Sequence, residues 1–200
     1  MITTVIFDIG NVLVDFSWAK HIKSFGYSEE INERIARASV LDTDWNQYDK
    51  GDLSEDEIME LFIENDPGIE KELRTTYASL NGIVEQRSYA KELIMELKER
   101  GLKVLYLSNF SKKAETDCAK ELDFIPLTDG GILSYKERVI KPSQEIYELL
   151  TNRYNLIPGE CVFLDDTIAN VEAARKHGYN AIIFKDCDSG LKELYSYLDK

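Results

Sequence analysis

The chain has 200 residues, of which 44% are hydrophobic and 30% are charged, and its formal net charge is −13. This length suits one domain with its own core and a smaller insertion. No apolar run approaches the roughly 20 residues of a membrane span, the N-terminus lacks a basic signal-peptide region, and no basic stretch offers a footprint for nucleic acid. We therefore predict a cytoplasmic protein with no nucleic-acid or membrane partner. Three widely spaced cysteines predict reduced thiols.

Short apolar runs alternate with helical patterns along most of the chain. Residues 4–7, 104–107, 162–164 and 181–184 predict strands, and they are nearly all apolar, as in a parallel sheet covered on both faces. Residues 88–100 predict a helix that ends at Gly101, residues 142–154 one with Pro142 in its first turn, and residues 168–177 one before Gly178. Residues 189–200 predict a terminal helix. This alternation predicts a doubly wound, mostly parallel α/β fold.

Residues 17–81 interrupt the alternation. They are helical in pattern without a convincing strand, and Ser54 followed by Glu57 predicts a capping box. Residues 49–52, Asp-Lys-Gly-Asp, predict a turn. We therefore predict an all-helical insertion after the first strand, with residues 1–16 and 82–200 forming the α/β core. Aromatic side chains near or within the insertion could touch a ligand, although packing is their more common role: Phe16, Trp18, Trp45 and Tyr48.

Polar residues follow three of the predicted strands and open one predicted helix. They are Asp8, the pair Ser108-Asn109, the pair Asp165-Asp166, and Lys141. Taken alone, each residue is more simply interpreted as a turn residue, a helix cap or a surface charge. Because ligands of open α/β sheets bind at the carboxyl ends of the strands, these residues would share one crevice.

Jointly, these residues predict a site for phosphoryl transfer. Asp8 and Asp166 could hold Mg²⁺, which takes oxygen ligands from one or two carboxylates plus substrate phosphate. Lys141 could neutralise anionic oxygens, and Ser108 could donate a hydrogen bond to them. The cation and the lysine would supply the local positive field that an acidic protein needs to bind an anion.

Four segments resemble, in order, the four motifs of the haloacid dehalogenase superfamily: FDIGNV, LSN, KPS and VFLDDTIANVEAA. The resemblance covers essentially the whole chain and implies a Rossmann-like core, with residues 17–81 as the helical cap that closes over the site. It implies that Asp8 is the nucleophile and that the Gly10 carbonyl, with Asp8 and Asp166, holds Mg²⁺.

The resemblance also implies roles for the remaining site residues. Ser108 would bind a phosphoryl oxygen, and Lys141 would stabilise Asp8 and the transferring group. Ile9, Gly10 and Asn109 would contact substrate, and Asp165 would support the site. Asn170 stands where many relatives have another acid.

The chain departs from the pattern at Gly10, where most phosphatases of the superfamily have a second aspartate as general acid and base. Loss of such a group typically costs 10²–10⁴-fold in rate. Asp15 lies too far along the chain to be nominated as its replacement. The pair Gly10-Asn11 resembles a subgroup of bacterial α-D-glucose-1-phosphate phosphatases, and the chain also resembles the N-terminal phosphatase domain of soluble epoxide hydrolase.

The resulting prediction is Mg²⁺-dependent hydrolysis of a small phosphorylated metabolite, such as a sugar phosphate, through an aspartyl-phosphate on Asp8. Three alternatives stay open. Asp8 could attack carbon, as in a 2-haloacid dehalogenase. The chain could be a weakly catalytic binding or regulatory protein, because Gly10 lacks the acid. Phosphomutase or phosphotransferase activity would use the same intermediate.

Overall fold

The computed structural model describes residues 1–199. Seven strands are present in this part of the chain: β1 Thr4–Phe7, β2 Val14–Phe16, β3 Val84–Gln86, β4 Lys103–Ser108, β5 Gly131–Leu133, β6 Cys161–Asp165 and β7 Asn180–Ile183. Its α-helices are α1 Trp18–Lys23, α2 Glu29–Ala38, α3 Trp45–Lys50, α4 Glu55–Asn65, α5 Glu70–Thr76, α6 Ala90–Glu99, α7 Lys112–Asp117, α8 Ser134–Glu137, α9 Gln144–Tyr154, α10 Ile168–Lys176 and α11 Cys187–Leu198. Short 3₁₀ turns cover Pro67–Ile69, Ile125–Leu127 and Pro158–Glu160.

The central sheet has five strands in the order β5-β4-β1-β6-β7, and every pairing is parallel. Alternate residues of β1 point to opposite faces: Val5 and Phe7 join one core cluster, whereas Ile6 joins the other. Helices α6 and α11 contribute to the first cluster, and α9 and α10 to the second. Because both faces are covered by helices, the strands are apolar throughout rather than alternating. The prediction of a mostly parallel α/β fold is confirmed.

The segment between β2 and β3 contains the helices α1 to α5, and no strand is assigned within residues 17–81. The capping box at the start of α4 is present, because Ser54 Oγ accepts from the Glu57 N–H while the Glu57 carboxylate accepts from the Ser54 N–H. An aromatic cluster packs within this segment around Phe62, whose ring stacks on Trp45 at 6.0 Å and contacts Tyr48 and Tyr77. No helix within residues 1–199 is both long enough and apolar enough to cross a membrane.

Several local predictions were wrong or incomplete. Asp49 belongs to the helix α3 rather than to a connecting β-turn. The helix ends two residues later at Gly51, which adopts a left-handed conformation with φ 74°. Pro142 does not lie in the first turn of a helix, because α9 begins at Gln144. The Ser143 N–H donates to the Ile140 carbonyl, so residues 140–143 form a turn before the helix. The three-residue strands β2, β3 and β5 were not predicted. The predicted terminal helix is observed as Cys187–Leu198, and Lys200 lies outside the described residues.

Candidate active site

The carboxyl ends of three neighbouring strands bring the predicted site residues together. The strands β4, β1 and β6 are adjacent, and Phe7 of β1 pairs with Tyr106 on one side and Leu164 on the other. Ser108 and Asp165 are the last residues of β4 and β6, and Asp8 directly follows β1. The parallel register therefore places all three at one edge of the sheet.

Asp8 is 7% exposed, and one of its carboxylate oxygens accepts three polar contacts. Oδ1 lies 2.7 Å from the Ile9 backbone nitrogen, 2.7 Å from Ser108 Oγ and 2.9 Å from Lys141 Nζ. The Ile9 side chain itself is fully buried, so this residue meets the site only through its backbone. The donors fix the orientation of the carboxylate at the strand end.

Lys141 is 2% exposed, which excludes the reading of this residue as a surface charge. Its Nζ lies 2.9 Å from Asp8 Oδ1 and 2.7 Å from Asp165 Oδ2. The Asn109 side chain holds the Lys141 backbone from both sides, donating to its carbonyl at 3.0 Å and accepting from its N–H at 2.8 Å. Burial alone would lower the pKa of Lys141, but the two carboxylates, Asp165 foremost, outweigh that effect and raise it.

Asp165 and Asp166 have different environments although they are consecutive. Asp165 is fully buried, and its oxygens accept from Lys141 Nζ, the Thr167 N–H and the Asn170 side chain. Asp166 is only partly buried, and its Oδ2 accepts from Asn11 Nδ2 at 2.9 Å. Both oxygens of Asp165 therefore already accept hydrogen bonds, whereas Asp166 lines a cavity.

Three carboxylates, those of Asp8, Asp165 and Asp166, each offer an oxygen within 4.8 Å of the others. Lys141 supplies one positive charge against these three negative charges, which leaves a formal excess of two. Burial raises the pKa of Asp8, Asp165 adds to that rise, and Lys141 and Ser108 oppose it. A hard divalent cation with oxygen ligands fits this donor set and its charge.

A cavity of about 200 Å³ lies over these carboxylates. Its core side includes Asp8, Gly10 and Asp166, and Phe16, Trp45 and Asp49 line it from β2 and α3. Trp18 lies elsewhere, lining a separate cavity beside α1 and α2. Asp15 is also outside the site, in an ion pair with Arg87.

Sequence reasoning missed three residues that shape the site. Asn11 adopts φ 54°, and its amide joins Asp166 to the Phe16 N–H, which ties the first loop to the end of β6. Asn170 stands where many relatives have an acid, and its side chain donates to Asp165. Asp49 lies in a segment whose composition predicts a turn. Its spacing of four residues from Trp45, which puts both residues on one helix face, is the sequence signal that could have found it.

Comparison with known proteins agrees with this architecture. The profile of the haloacid dehalogenase-like hydrolases matches residues 2–178. The chain is 24% identical to sesquiterpene phosphatase astK of Aspergillus oryzae over 94% of the chain and 93% of that protein. It is 26% identical to mouse acyl-CoA dehydrogenase family member 10 over 97% of the chain, but spans only 19% of that protein.

Two solved structures share the fold. A family enzyme from Bacteroides thetaiotaomicron, in complex with magnesium and inorganic phosphate, superimposes with a TM-score of 0.71 at 21% identity, covering 94% of this chain and 98% of that one. L-2-haloacid dehalogenase from Xanthobacter autotrophicus superimposes with a TM-score of 0.65 at 19% identity, covering 98% and 83%. At these identities the likeness extends to the fold alone.

Proposed function

Because this chain belongs to the haloacid dehalogenase-like hydrolases, we propose that it hydrolyses the phosphate monoester of a small metabolite, with Mg²⁺, through a phosphoryl group carried transiently on Asp8. The observation that carries this proposal is the buried Lys141 between Asp8 and Asp165, with Asp166 beside them. When all three carboxyl groups are ionised, this arrangement has a formal excess of two negative charges beside a cavity, which suits a divalent cation and, through it, a phosphate group.

The metal ligands would be the carboxylates of Asp8 and Asp166 and the backbone carbonyl of Gly10. Asp165 is less suited, because its oxygens already accept hydrogen bonds from Lys141, Thr167 and Asn170. When bound, Mg²⁺ would stabilise the negative charge on the transferring phosphoryl oxygens. Asp165 would instead hold Lys141 in place, as a support for the site.

In the first half of the reaction, an oxygen of Asp8 forms a bond to phosphorus while the bond from phosphorus to the leaving-group oxygen breaks. Ser108 Oγ and Lys141 Nζ, both within 2.9 Å of Asp8 Oδ1, are placed to share their protons with phosphoryl oxygens. In the second half, water attacks the same phosphorus, phosphate departs and the Asp8 carboxylate is restored. Asn109 contributes by holding the Lys141 backbone.

Substrate selection is assigned to the surfaces of β2 and α3 that cover the cavity. Phe16 and Trp45 present aromatic rings, 6.0 Å apart between centroids, to a cavity of about 200 Å³. A pocket of that volume with apolar walls and a polar floor suits a small phosphorylated metabolite. We assign residues 17–81 as the cap that excludes water and selects this substrate.

Attack of Asp8 on carbon, with loss of halide, is the competing reaction. It has no use for a cation site, so the group of three carboxylates favours phosphorus chemistry. A protein that binds phosphate esters without turnover is the second competitor.

One assay separates these functions. Phosphate release from a panel of sugar, nucleotide and aryl phosphates is measured with Mg²⁺ and with EDTA, for the wild type, Asp8→Asn and the control Asp188→Asn, which neutralises an exposed carboxylate on α11. We expect Mg²⁺-dependent turnover that only Asp8→Asn abolishes. Halide release from 2-haloacids in EDTA would establish the dehalogenase, and binding of phosphate esters without turnover across the panel would establish the binding protein.

A further inference from the structure

Position 10 presents no proton donor to the cavity. Gly10 has no side chain, and a Cβ atom built there would meet nothing within 4 Å. A phosphomonoester with an alcohol leaving group needs a proton on the departing oxygen, and general acid catalysis typically contributes 10²–10⁴-fold. Another group must therefore supply that proton if alkyl phosphates are substrates.

Three carboxyl groups line the cavity: Asp8, Asp166 and Asp49. Asp8 is assigned as nucleophile, and Asp166 accepts a hydrogen bond from Asn11 and is assigned to the metal. Asp49 comes from α3 rather than from a strand end, and within residues 1–199 no hydrogen bond or ion pair engages its carboxylate. It is the acid that remains without an assigned partner.

The backbone at Asp49 is fixed to the α/β core. Its carbonyl accepts a 2.5 Å hydrogen bond from Oγ of Ser134, a fully buried residue, and the same Oγ accepts from the Phe110 N–H. Phe110 follows Ser108 and Asn109, so the end of α3 is tied to the loop that carries two site residues. At Gly51, a Cβ would stand 2.8 Å from Tyr135 Cβ, which shows how closely α3 meets α8.

The electrostatic setting of Asp49 suits reversible proton transfer. Burial raises its pKa to about 7, Asp8 adds to the rise and Lys141 opposes it. A group that exchanges protons near neutral pH can serve as both acid and base in one cycle.

We propose that Asp49 is the general acid and base that stands in for the group absent at Gly10. This inference rests on the proposed phosphatase function. As the bond from phosphorus to the leaving oxygen breaks, the Asp49 carboxyl gives its proton to that oxygen, and the alcohol departs. The Asp49 carboxylate then takes a proton from the water that attacks the phosphorus on Asp8, and phosphate release restores both residues.

The test compares two leaving groups in Asp49→Asn: p-nitrophenyl phosphate, whose phenolate departs without a proton, and the best alkyl phosphate of the wild-type panel. We expect kcat/KM for the alkyl phosphate to fall about 10²–10⁴-fold and kcat/KM for the aryl phosphate to change far less, because kcat/KM reports only the step that forms phospho-Asp8. The ratio of the two values does not depend on the fraction of enzyme that is folded. Asp56→Asn, an exposed change on α4, is the matched control and should leave both values unchanged.

Two further readouts follow from the same chemistry. With p-nitrophenyl phosphate, Asp49→Asn should release one equivalent of nitrophenolate rapidly and then turn over slowly, because the water that hydrolyses phospho-Asp8 lacks its base. The double variant Asp49→Asn/Gly10→Asp should recover alkyl phosphate turnover, because the open space at position 10 can accept a carboxyl group, whereas Asp49→Asn/Gly10→Asn should not.

The outcomes separate the two proposals. If the wild type hydrolyses neither substrate with Mg²⁺, the phosphatase proposal fails and the role of Asp49 fails with it. If the wild type is active and Asp8→Asn is not, but Asp49→Asn loses nothing or loses equally on both leaving groups, only the acid–base role of Asp49 is overturned.

Discussion

The replacement Asp49→Asn should stabilise the metal-free protein at alkaline pH. The pKa of Asp49 rises from 3.8 to about 7, burial being the main cause. At about 1.4 kcal/mol per pKa unit, this rise corresponds to at most about 4 kcal/mol of destabilisation when the group is ionised. Because part of the side chain remains accessible to water, screening reduces this to about 1–3 kcal/mol.

The size of this effect depends on pH, while its sign stays the same. Near pH 4, close to the unfolded-state pKa of 3.8, the folded protein keeps Asp49 protonated while about half of the unfolded chains have ionised it, so the group costs less than about 1 kcal/mol. Between pH 4 and 7 the unfolded chain ionises more readily than the folded protein, so stability falls as pH rises. Above pH 7 the full cost applies, and an asparagine at this position avoids it.

Urea unfolding in EDTA at pH 5, 6.5 and 8 measures this difference. Asp49→Asn should exceed the wild type by about 1–3 kcal/mol at pH 8, and the gap should narrow steadily toward pH 5. Asp56→Asn, exposed on α4, should change stability by no more than about 0.5 kcal/mol. A gap that is constant across the pH range, or a destabilised Asn variant at pH 8, would refute the reasoning. Confirmation would identify Asp49 as a group kept at a cost in stability, as functional groups often are.

Three other perturbations test the site and the fold. Lys141→Met should cost about 3–5 kcal/mol in urea unfolding, because it leaves Asp8 and Asp165 buried without their shared cation; a loss below about 1 kcal/mol would contradict the buried ion-pair geometry. Phe62→Ala should cost about 3–5 kcal/mol, because the fully buried ring packs on three aromatic neighbours; a near-neutral change would mean that this cluster is loosely packed. Mg²⁺ at a hundred times its Kd should stabilise the wild type by about 2.7 kcal/mol, which is measured as a rise in Tm. The variant Asp166→Asn should lose most of that rise. An equal rise in Tm for the variant would show that Asp166 does not bind the metal.

The strands that build the core were predictable from their own residues. β1, β4, β6 and β7 are apolar segments buried on both faces, and their signal is contained within four to six residues. The strands β2, β3 and β5 have three residues each, too few for a periodic pattern to emerge. Their pairing partners, rather than their composition, make them strands.

The site likewise contains residues that were predictable from the sequence and residues that were not. Asp8, Ser108 and Asp165 stand at the ends of predictable strands, and a parallel sheet brings such ends to one edge, so sequence order alone was enough to expect them together. The burial of Lys141 was not expected from the residues around it, since a lysine before proline is usually at the surface. Its place between two carboxylates depends on Asn109, which is 32 residues away along the chain.

The position of Asp49 could not be predicted from the local sequence. The position of a residue at a strand end is determined by the strand, which lies in a sheet of predictable geometry. For a residue on an inserted helix, the local sequence determines only the face of the helix on which it lies. Which face turns toward the sheet is decided by contacts remote in sequence, such as that of Ser134 with the Asp49 carbonyl, 85 residues apart. The chain's residue pattern therefore dictated the α/β core and its row of polar strand ends, while long-range packing alone brought a carboxyl group from α3 over the cavity.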